Sequence, residues 1–471
     1  SYVTSDIEKV EVIRGPASIL YGSNAMGGVI NLITNKQEER GFHGKARAMY
    51  GSFNTQKYAA SGGYKNDKFN IFASLNHDQT NRHRDSSDFN INNGYLKAGY
   101  QLNENFKLKA DASLSAFESQ DPGMISGTAG NFIDILRGRA SFSLDNHYEK
   151  TEGGLKLYHN FGEHEISNGF HSTDRMSGIM LHQVLRVIPN NMITIGADYK
   201  TYGGMAENTT FNSRIGEEYL TEMAGYALIQ HTLFSKLVLN AGIRLENHET
   251  YGSEWLPQTG FAYHPFKTTT IKGSFSKGFR SPTMNELFLF GVNNENLEPE
   301  RISNYELGFI QRMLEDRMEV ELTGYYLEGN NLIQVDQQRG IYMNTGDFKN
   351  YGFETSVNYR ISKELKVNTN YSYLNTEKQI LGAPEHQYYL GINYQFKNIL
   401  VNLNVEHINN LYTMAPETET YSLLNSKVTY KQTKNLRFFL SAENLTGAEY
   451  HIFNGYPMPE TTLFAGINVH F

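Results

Sequence analysis

The chain has 471 residues, 42 Lys and Arg against 50 Asp and Glu, a net charge of -8 and no cysteine. The acidic balance argues against nucleic-acid binding, and the missing thiols exclude disulfides, thiol catalysis and Cys-ligated zinc. Length suggests roughly three soluble domains of about 150 residues each, yet only 11 Pro punctuate the chain and no helix-rich block separates from a strand-rich one, so one large repetitive architecture fits better.

No stretch reaches the roughly 18 apolar residues of a spanning helix. Ser1–Val10 has neither the basic start nor the apolar centre of an export signal. Ile7–Gly15, IEKVEVIRG, reads as a strand that stops at Gly15–Pro16. Gly27–Thr34, GGVINLIT, reads as a second strand after the Gly-rich GSNAMGG, and its near-continuous apolarity predicts burial on both faces.

Beyond residue 36 the pattern has period two. Phe106, Leu108, Ala110, Ala112, Leu114 and Ala116 alternate with Lys107, Lys109, Asp111, Ser113 and Ser115. Leu365 to Tyr373 repeats the pattern, and Leu463, Ala465, Ile467, Val469 and Phe471 end the chain with it. Such runs are longer than the five or six residues of an average soluble strand. They match the about 9 to 11 residues of a tilted strand crossing a bilayer, where an open sheet edge cannot be satisfied and the sheet must close.

Short polar turns fall at Lys65–Lys68, Asn103–Asn105, Tyr148–Glu152, Pro189–Asn191, Phe234–Lys236, Pro265–Thr268, Leu314–Arg317, Ser362–Glu364, Lys397–Asn398 and Lys431–Asn435. Ten turns on one side, with both chain ends there too, give eleven hairpins and about 22 antiparallel strands. Longer, more polar connections at Asp78–Asn93, Glu118–Leu136, Arg280–Arg301 and Glu328–Asn350 fit extracellular loops. The expected fold is all-β, a 22-stranded transmembrane barrel whose lumen needs a plug.

Candidate site residues carry competing readings. Glu163, His164, His171 and Asp174 fall in one expected extracellular loop, with Met176, Met180 and His182 on the adjoining strand. Imidazole and thioether ligate haem iron or copper, or these side chains simply face lipid or lumen. Tyr325, Tyr326, Tyr342, Tyr412 and Tyr456 suit stacking on a flat ligand or packing in an aromatic girdle. Arg280, Arg301 and Arg339 suit an anionic chelate or plain solvation, and Arg280 also suits pairing with a carboxylate beside a loop stiffened by Pro282. Asp85, Asp88 and Asp121 lack the spacing of a continuous calcium loop and read as solvated carboxylates. No GxSxG, P-loop, HExxH or dinucleotide GxGxxG pattern suggests an enzyme.

IEKVEVIRGPASILYGSNAMGGVINLITNK, with its strand, RGP turn, YG segment, GG pair and second strand, resembles the final part of the plug of TonB-dependent outer-membrane receptors. FSKGFRSPTMNELF (275–288), NENLEPE (294–300), NYGFETSVNYR (350–360), AENLTGAEY (442–450) and the terminal Phe471 are also similar to that family. The resemblance implies a receptor in the outer membrane of a Gram-negative bacterium that takes up a scarce nutrient with energy from the inner-membrane TonB complex. Its cargo is expected to be an iron-siderophore or another metal chelate such as haem or cobalamin; the alternatives are a glycan or peptide importer, or a passive porin-like channel.

Residues 1–36 are expected to be the C-terminal remnant of a plug and 37–471 the barrel. Contact with TonB is expected through a segment missing from this sequence, since family plugs run to about a domain's length. Haem receptors of the family carry a His between FRAP-like and NPNL-like motifs, and none lies between Phe279–Pro282 and Asn296–Leu297 here. Ligand contacts are expected at His164, His171, Met176, Arg280, Tyr342 and Tyr456, with no integral cofactor and no assigned metal. Outer-membrane lipid and a surface lipoprotein are further expected partners.

Overall fold

The computed structural model describes residues 6–127, 130–336, 338–416 and 418–471. Residues 1–5 of the expected plug remnant, and 128, 129 and 337 of two expected loops, lie outside the described residues.

The chain begins with a hairpin of β1 (Ile7–Arg14) and β2 (Gly28–Thr34), joined through the short helix α1 (Ser18–Tyr21). Barrel strands follow: β3 (Gly41–Gly51), β4 (Thr55–Lys65), β5 (Phe69–Thr80), β6 (Phe89–Gln101), β7 (Phe106–Gln120), β8 (Phe132–His147) and β9 (Thr151–Ile166). The middle of the barrel is β10 (Phe170–Leu185), β11 (Asn191–Asn208), β12 (Ser213–Leu233), β13 (Leu237–His248), β14 (Gly252–Phe266) and β15 (Thr269–Arg280). After helix α2 (Met284–Phe288) come β16 (Glu300–Met313), β17 (Met318–Asp336), β18 (Ile341–Arg360), β19 (Leu365–Thr376) and β20 (Pro384–Phe396). The last elements are β21 (Ile399–Leu411), β22 (Glu419–Lys431), β23 (Leu436–Glu443), the small hairpin β24 (His451–Phe453) and β25 (Tyr456–Pro457), and β26 (Thr462–His470).

Strands β3 to β23 pair antiparallel in chain order, and β26 closes the ring between β23 and β3, giving 22 strands. At the seam Gly44 N–H donates to the Phe471 carbonyl at 2.7 Å and Phe471 N–H to the Gly44 carbonyl at 3.0 Å. Closure leaves no unpaired edge for lipid to meet.

The alternation inverts the rule for a soluble protein. Leu75 is 71% exposed and its neighbour Asn76 5%; Leu114 is 50% exposed and Ser115 2%. Apolar side chains point outward to lipid, while polar ones point into the lumen and bond to one another, as Ser115 Oγ does to Asn93 Oδ1 at 2.6 Å. All ten expected turns lie at strand connections on one rim.

Three expectations change. Glu163, His164, His171 and Asp174 are not in a loop: β9 and β10 run through them and only residues 167–169 connect the two strands. Most of Glu328–Asn350 is likewise strand, because β17 and β18 stay paired up to Asp336 and Ile341, with irregularities beside Leu332. Continuous cross-strand bonding satisfies the backbone even where the side chains are polar, so polarity alone marks these stretches as loop wrongly. Burial of the second plug strand on both faces is not met either. β1 and β2 form a two-stranded sheet, with Val12 62% and Ile30 68% exposed.

The hairpin lies inside the ring. Asn76 Nδ2 on β5 donates to Asp6 Oδ2 at 3.1 Å, and Thr34 Oγ1 meets Tyr95 OH on β6 at 2.8 Å. On the far side of the ring, Phe279 N–H on β15 donates to Ser18 Oγ at 3.4 Å, and Arg14 pairs with Glu354 on β18. Only a segment in the lumen can touch walls that far apart around the circle.

Candidate ligand vestibule and plug seat

Between Arg14 and Ser23 the plug segment turns tightly against the wall formed by β13 to β16. Gly15 (φ 69°) sits where an added Cβ would lie 2.5 Å from Glu306 Oε1 and 2.6 Å from Asn304 Nδ2. Gly22 ends α1 with φ 71° and ψ -147°, a region only glycine enters freely, and its N–H closes the helix onto Ser18 O at 2.8 Å. Beyond it, Ser281 N–H donates to Ser23 Oγ at 2.9 Å and Asn24 N–H to the Phe279 carbonyl at 3.1 Å. Ser18 and Ile19 are buried in this seat.

Beneath Gly22 the wall is charged and dry. Arg244 donates from Nη1 to Asp198 Oδ2 at 2.7 Å and from Nε to Glu246 Oε2 at 2.8 Å, and Lys200 pairs with Glu222 at 2.6 Å. Thr250 N–H donates to His248 Nδ1 at 3.1 Å, so the His248 proton sits on Nε2 and is donated to Tyr202 OH at 2.8 Å. Arg301 and Lys277 both reach Glu254. Removing Arg244 would leave both Asp198 and Glu246 without their cation, and breaking a buried pair in this way costs about 3 to 5 kcal/mol.

Above the seat, the β15–β16 connection folds back across the mouth. Thr283 caps α2: its Oγ1 accepts from Glu286 N–H at 3.3 Å while Thr283 N–H donates to Glu286 Oε2 at 2.7 Å. Arg280 grips Glu286 with two bonds, at 2.9 and 3.1 Å, and Glu300 with a third at 2.7 Å. Burial alone raises the Glu286 carboxyl, but Arg280 and the Thr283 N–H outweigh it and hold the group below the usual carboxylate range. Leu287 and Leu297 pack on Leu220 of β12, with Tyr202, Phe288, Ile333 and Tyr342 around them. Tyr251, in the connection from β13 to β14, stacks on His248 at 4.2 Å and bonds through its hydroxyl to Ser281 Oγ at 2.6 Å; burial pushes its phenol up.

The six expected ligand contacts do not converge. Arg280 directs three of its N–H donors to Glu286 and Glu300, and Tyr342 serves the loop core, its N–H donating to the Val292 carbonyl at 2.8 Å. Tyr456 lies under the Arg84 guanidinium, 5.1 Å from the ring centre, in a contact that joins three outer loops. His164 and Met176 face the lumen. Register places Met176 opposite Asn160, and Asn160 opposite Arg139, which lies over Tyr95 beneath the plug hairpin. His171 has the opposite parity and shares the outer face with Ile179 and Leu181. Asp85 and Asp88 both lie beside Arg82, at 3.6 and 3.7 Å.

Beside His164 the lumen wall forms a cationic niche. Arg137 Nη2 lies 2.9 Å from His164 Nε2 and donates to Asp174 Oδ2 at 3.1 Å. A cavity of about 420 Å³ borders Arg137, Arg139, Lys156, Tyr158, Asn160 and Met180. Arg139 pairs with Asp111 at 3.5 Å, while among the described residues Lys156 has no ion-pair partner. Sequence reasoning passed over Arg137, Arg139 and Lys156, and also Asp198, Glu222, Arg244 and Glu246 under the plug. The available signal was charge at every second position on the polar face of consecutive strands.

The family described as "TonB dependent receptor-like, beta-barrel" matches residues 34–445, and "TonB-dependent Receptor Plug Domain" matches residues 1–29. The vitamin B12 transporter BtuB of Vibrio cholerae is 22% identical over 99% of this chain and 80% of the relative. The iron-regulated outer membrane virulence protein of Vibrio cholerae is 24% identical over the same shares. In fold, the siderophore receptor PirA of Acinetobacter baumannii has a TM-score of 0.83 at 16% identity, covering 99% of this chain and 85% of that one. The copper transporter OprC has a TM-score of 0.86 at 15% identity, covering 100% and 87%. With a 22-strand closed barrel, a plug hairpin in its lumen and a family match across nearly the whole barrel, the chain belongs to the TonB-dependent receptors of the outer membrane.

Proposed function

We propose that this receptor imports an anionic metal chelate, a ferric siderophore foremost, and that the chelate docks against the lumen niche of Arg137, Arg139, Lys156 and His164. The observation that carries the reading is the gathering of cations there: Arg137 pairs with Asp174 and Arg139 with Asp111, and Lys156 beside them has no ion-pair partner among the described residues. Low-dielectric walls of one sign concentrate ligands of the other. The relatives named for vitamin B12, for iron regulation, for a siderophore and for copper agree with metal-bearing cargo. His164 Nε2 already accepts from Arg137, so the imidazole supports the guanidinium toward the chelate rather than gripping the metal.

The test is gel filtration of the purified receptor after incubation with haem, cobalamin or ferric siderophores. One coloured compound is expected to co-elute, with at least tenfold weaker retention in Arg137→Ala and Lys156→Ala. Colourless receptor with every chelate would contradict the reading in favour of a glycan or peptide cargo.

A further inference from the structure

On the outer face of the wall, a second cluster has no place in ligand capture. Glu165 of β9 sits opposite His171 of β10, and His171 sits opposite Glu207 of β11. Glu163, two residues along from Glu165, shares their parity. All four side chains stand on the face that carries Leu155, Leu157, Ile179 and Leu181 lower down, so they form one patch on the barrel wall, on the extracellular side of the apolar band.

His171 Nδ1 lies 3.0 Å from Glu207 Oε1, and His171 Nε2 lies 3.3 Å from Glu163 Oε1. Donor atoms of Glu163, Glu165 and His171 are all within 4.8 Å of one another. Among the described residues, the only ion-pair partner of Glu163 and of Glu207 is His171, and Glu165 has none. Three carboxylates therefore share one imidazole, and the cluster stays net negative in either state of the ring. The donor set is mixed, and one ring nitrogen is already held by a carboxylate outside the triad. That is the arrangement by which metal-ligating histidines are fixed in tautomer and direction.

We propose that Glu163, Glu165 and His171 Nε2 bind a divalent transition-metal cation on the outer wall, with Glu207 holding the Nδ1 proton. Imidazole with carboxylates suits zinc-like ions, whereas calcium and magnesium take all-oxygen sets. Ligands at about 2.1 Å in a tetrahedron stand about 3.4 Å apart, a closure that glutamates as exposed as Glu163 reach by rotation. The three protein ligands leave a fourth position for water or a lipid headgroup anion. The ion ties β9 to β10 above the membrane, apart from the lumen and its cargo.

The experiment measures zinc retained by the purified receptor after gel filtration, by elemental analysis, and zinc affinity by titration calorimetry, for the unaltered chain, Glu165→Gln and His171→Gln. Glu165 makes no ion pair, so its variant leaves the wall intact, and folding of each variant is checked by heat-shifted mobility on a gel. The expected result is one zinc per chain, at least tenfold weaker in both variants, with no displacement by an equal concentration of calcium. No retained zinc, retention equal in all three proteins, or displacement by calcium would overturn the proposal. Chelate capture in the lumen is measured separately and stands or falls on its own.

Discussion

At the level of single residues, Arg280, Thr283 and Glu286 decide whether the β15–β16 connection stays folded across the mouth. The Glu286 carboxyl is held below its ordinary value of 4.5 in the folded loop. Its contribution is therefore complete above the unfolded value and is lost as pH falls through the folded one. Proteolysis of the segment after Arg280 is expected to be slow at neutral pH and to quicken in that acid window. Glu286→Gln should remove the pH dependence, and an unchanged profile in this variant would assign the acid response elsewhere. Thr283→Ala removes one side of the cap and should loosen the loop by about 1 kcal/mol at neutral pH, read from amide exchange of residues 284–288. The pairing of Arg280 with a carboxylate was one of the readings its sequence left open, beside contact with an anionic chelate, and the loop geometry that brings Glu286 and Glu300 to it was not legible. The opposite directions of His164 and His171 were not. Parity along one strand is visible in sequence, but the register between β9 and β10, set by a three-residue connection, is not.

Among elements, strands with strict alternation and polar turns were readable because lipid and lumen impose opposite chemistry on successive residues. The outer parts of β9 to β12, β17 and β18 escaped, since above the membrane both faces are wet and alternation fades. Helix α2 has five residues, too few to show a period in the sequence. The plug segment was readable as strand, turn, strand, yet the seat that receives it comes from four barrel strands far along the chain. That seat makes a prediction. Gly22→Ala forces a side chain into a backbone region costing about 1 to 3 kcal/mol and aims its Cβ at Glu246 Oε2, 2.9 Å away. Amide exchange at Ser18–Gly22 should rise by at least tenfold while the exchange of β13 to β16 is unchanged. Equal protection in the variant would mean that α1 is not held by this contact.

For the whole molecule, eleven hairpins and ten short turns set the ring size, and the outward apolar and inward polar residues set its membrane placement. What fills the lumen follows from neither, because contacts between the plug segment and strands β5, β6, β15 and β18 join residues 61 to 340 positions apart. The hairpin is held there by a small set of hydrogen bonds and ion pairs at separate points on the wall. Such a set can be broken in turn by a pull along the barrel axis, which suits transport driven from the inner membrane. The most direct measurement is accumulation of the retained chelate, in labelled form, by receptor-deficient Gram-negative cells expressing this receptor, with and without functional TonB. The account predicts uptake against a concentration gradient that falls at least tenfold when TonB is lost. Equal uptake in both strains, rising linearly with external concentration, would contradict it and make the barrel a passive channel.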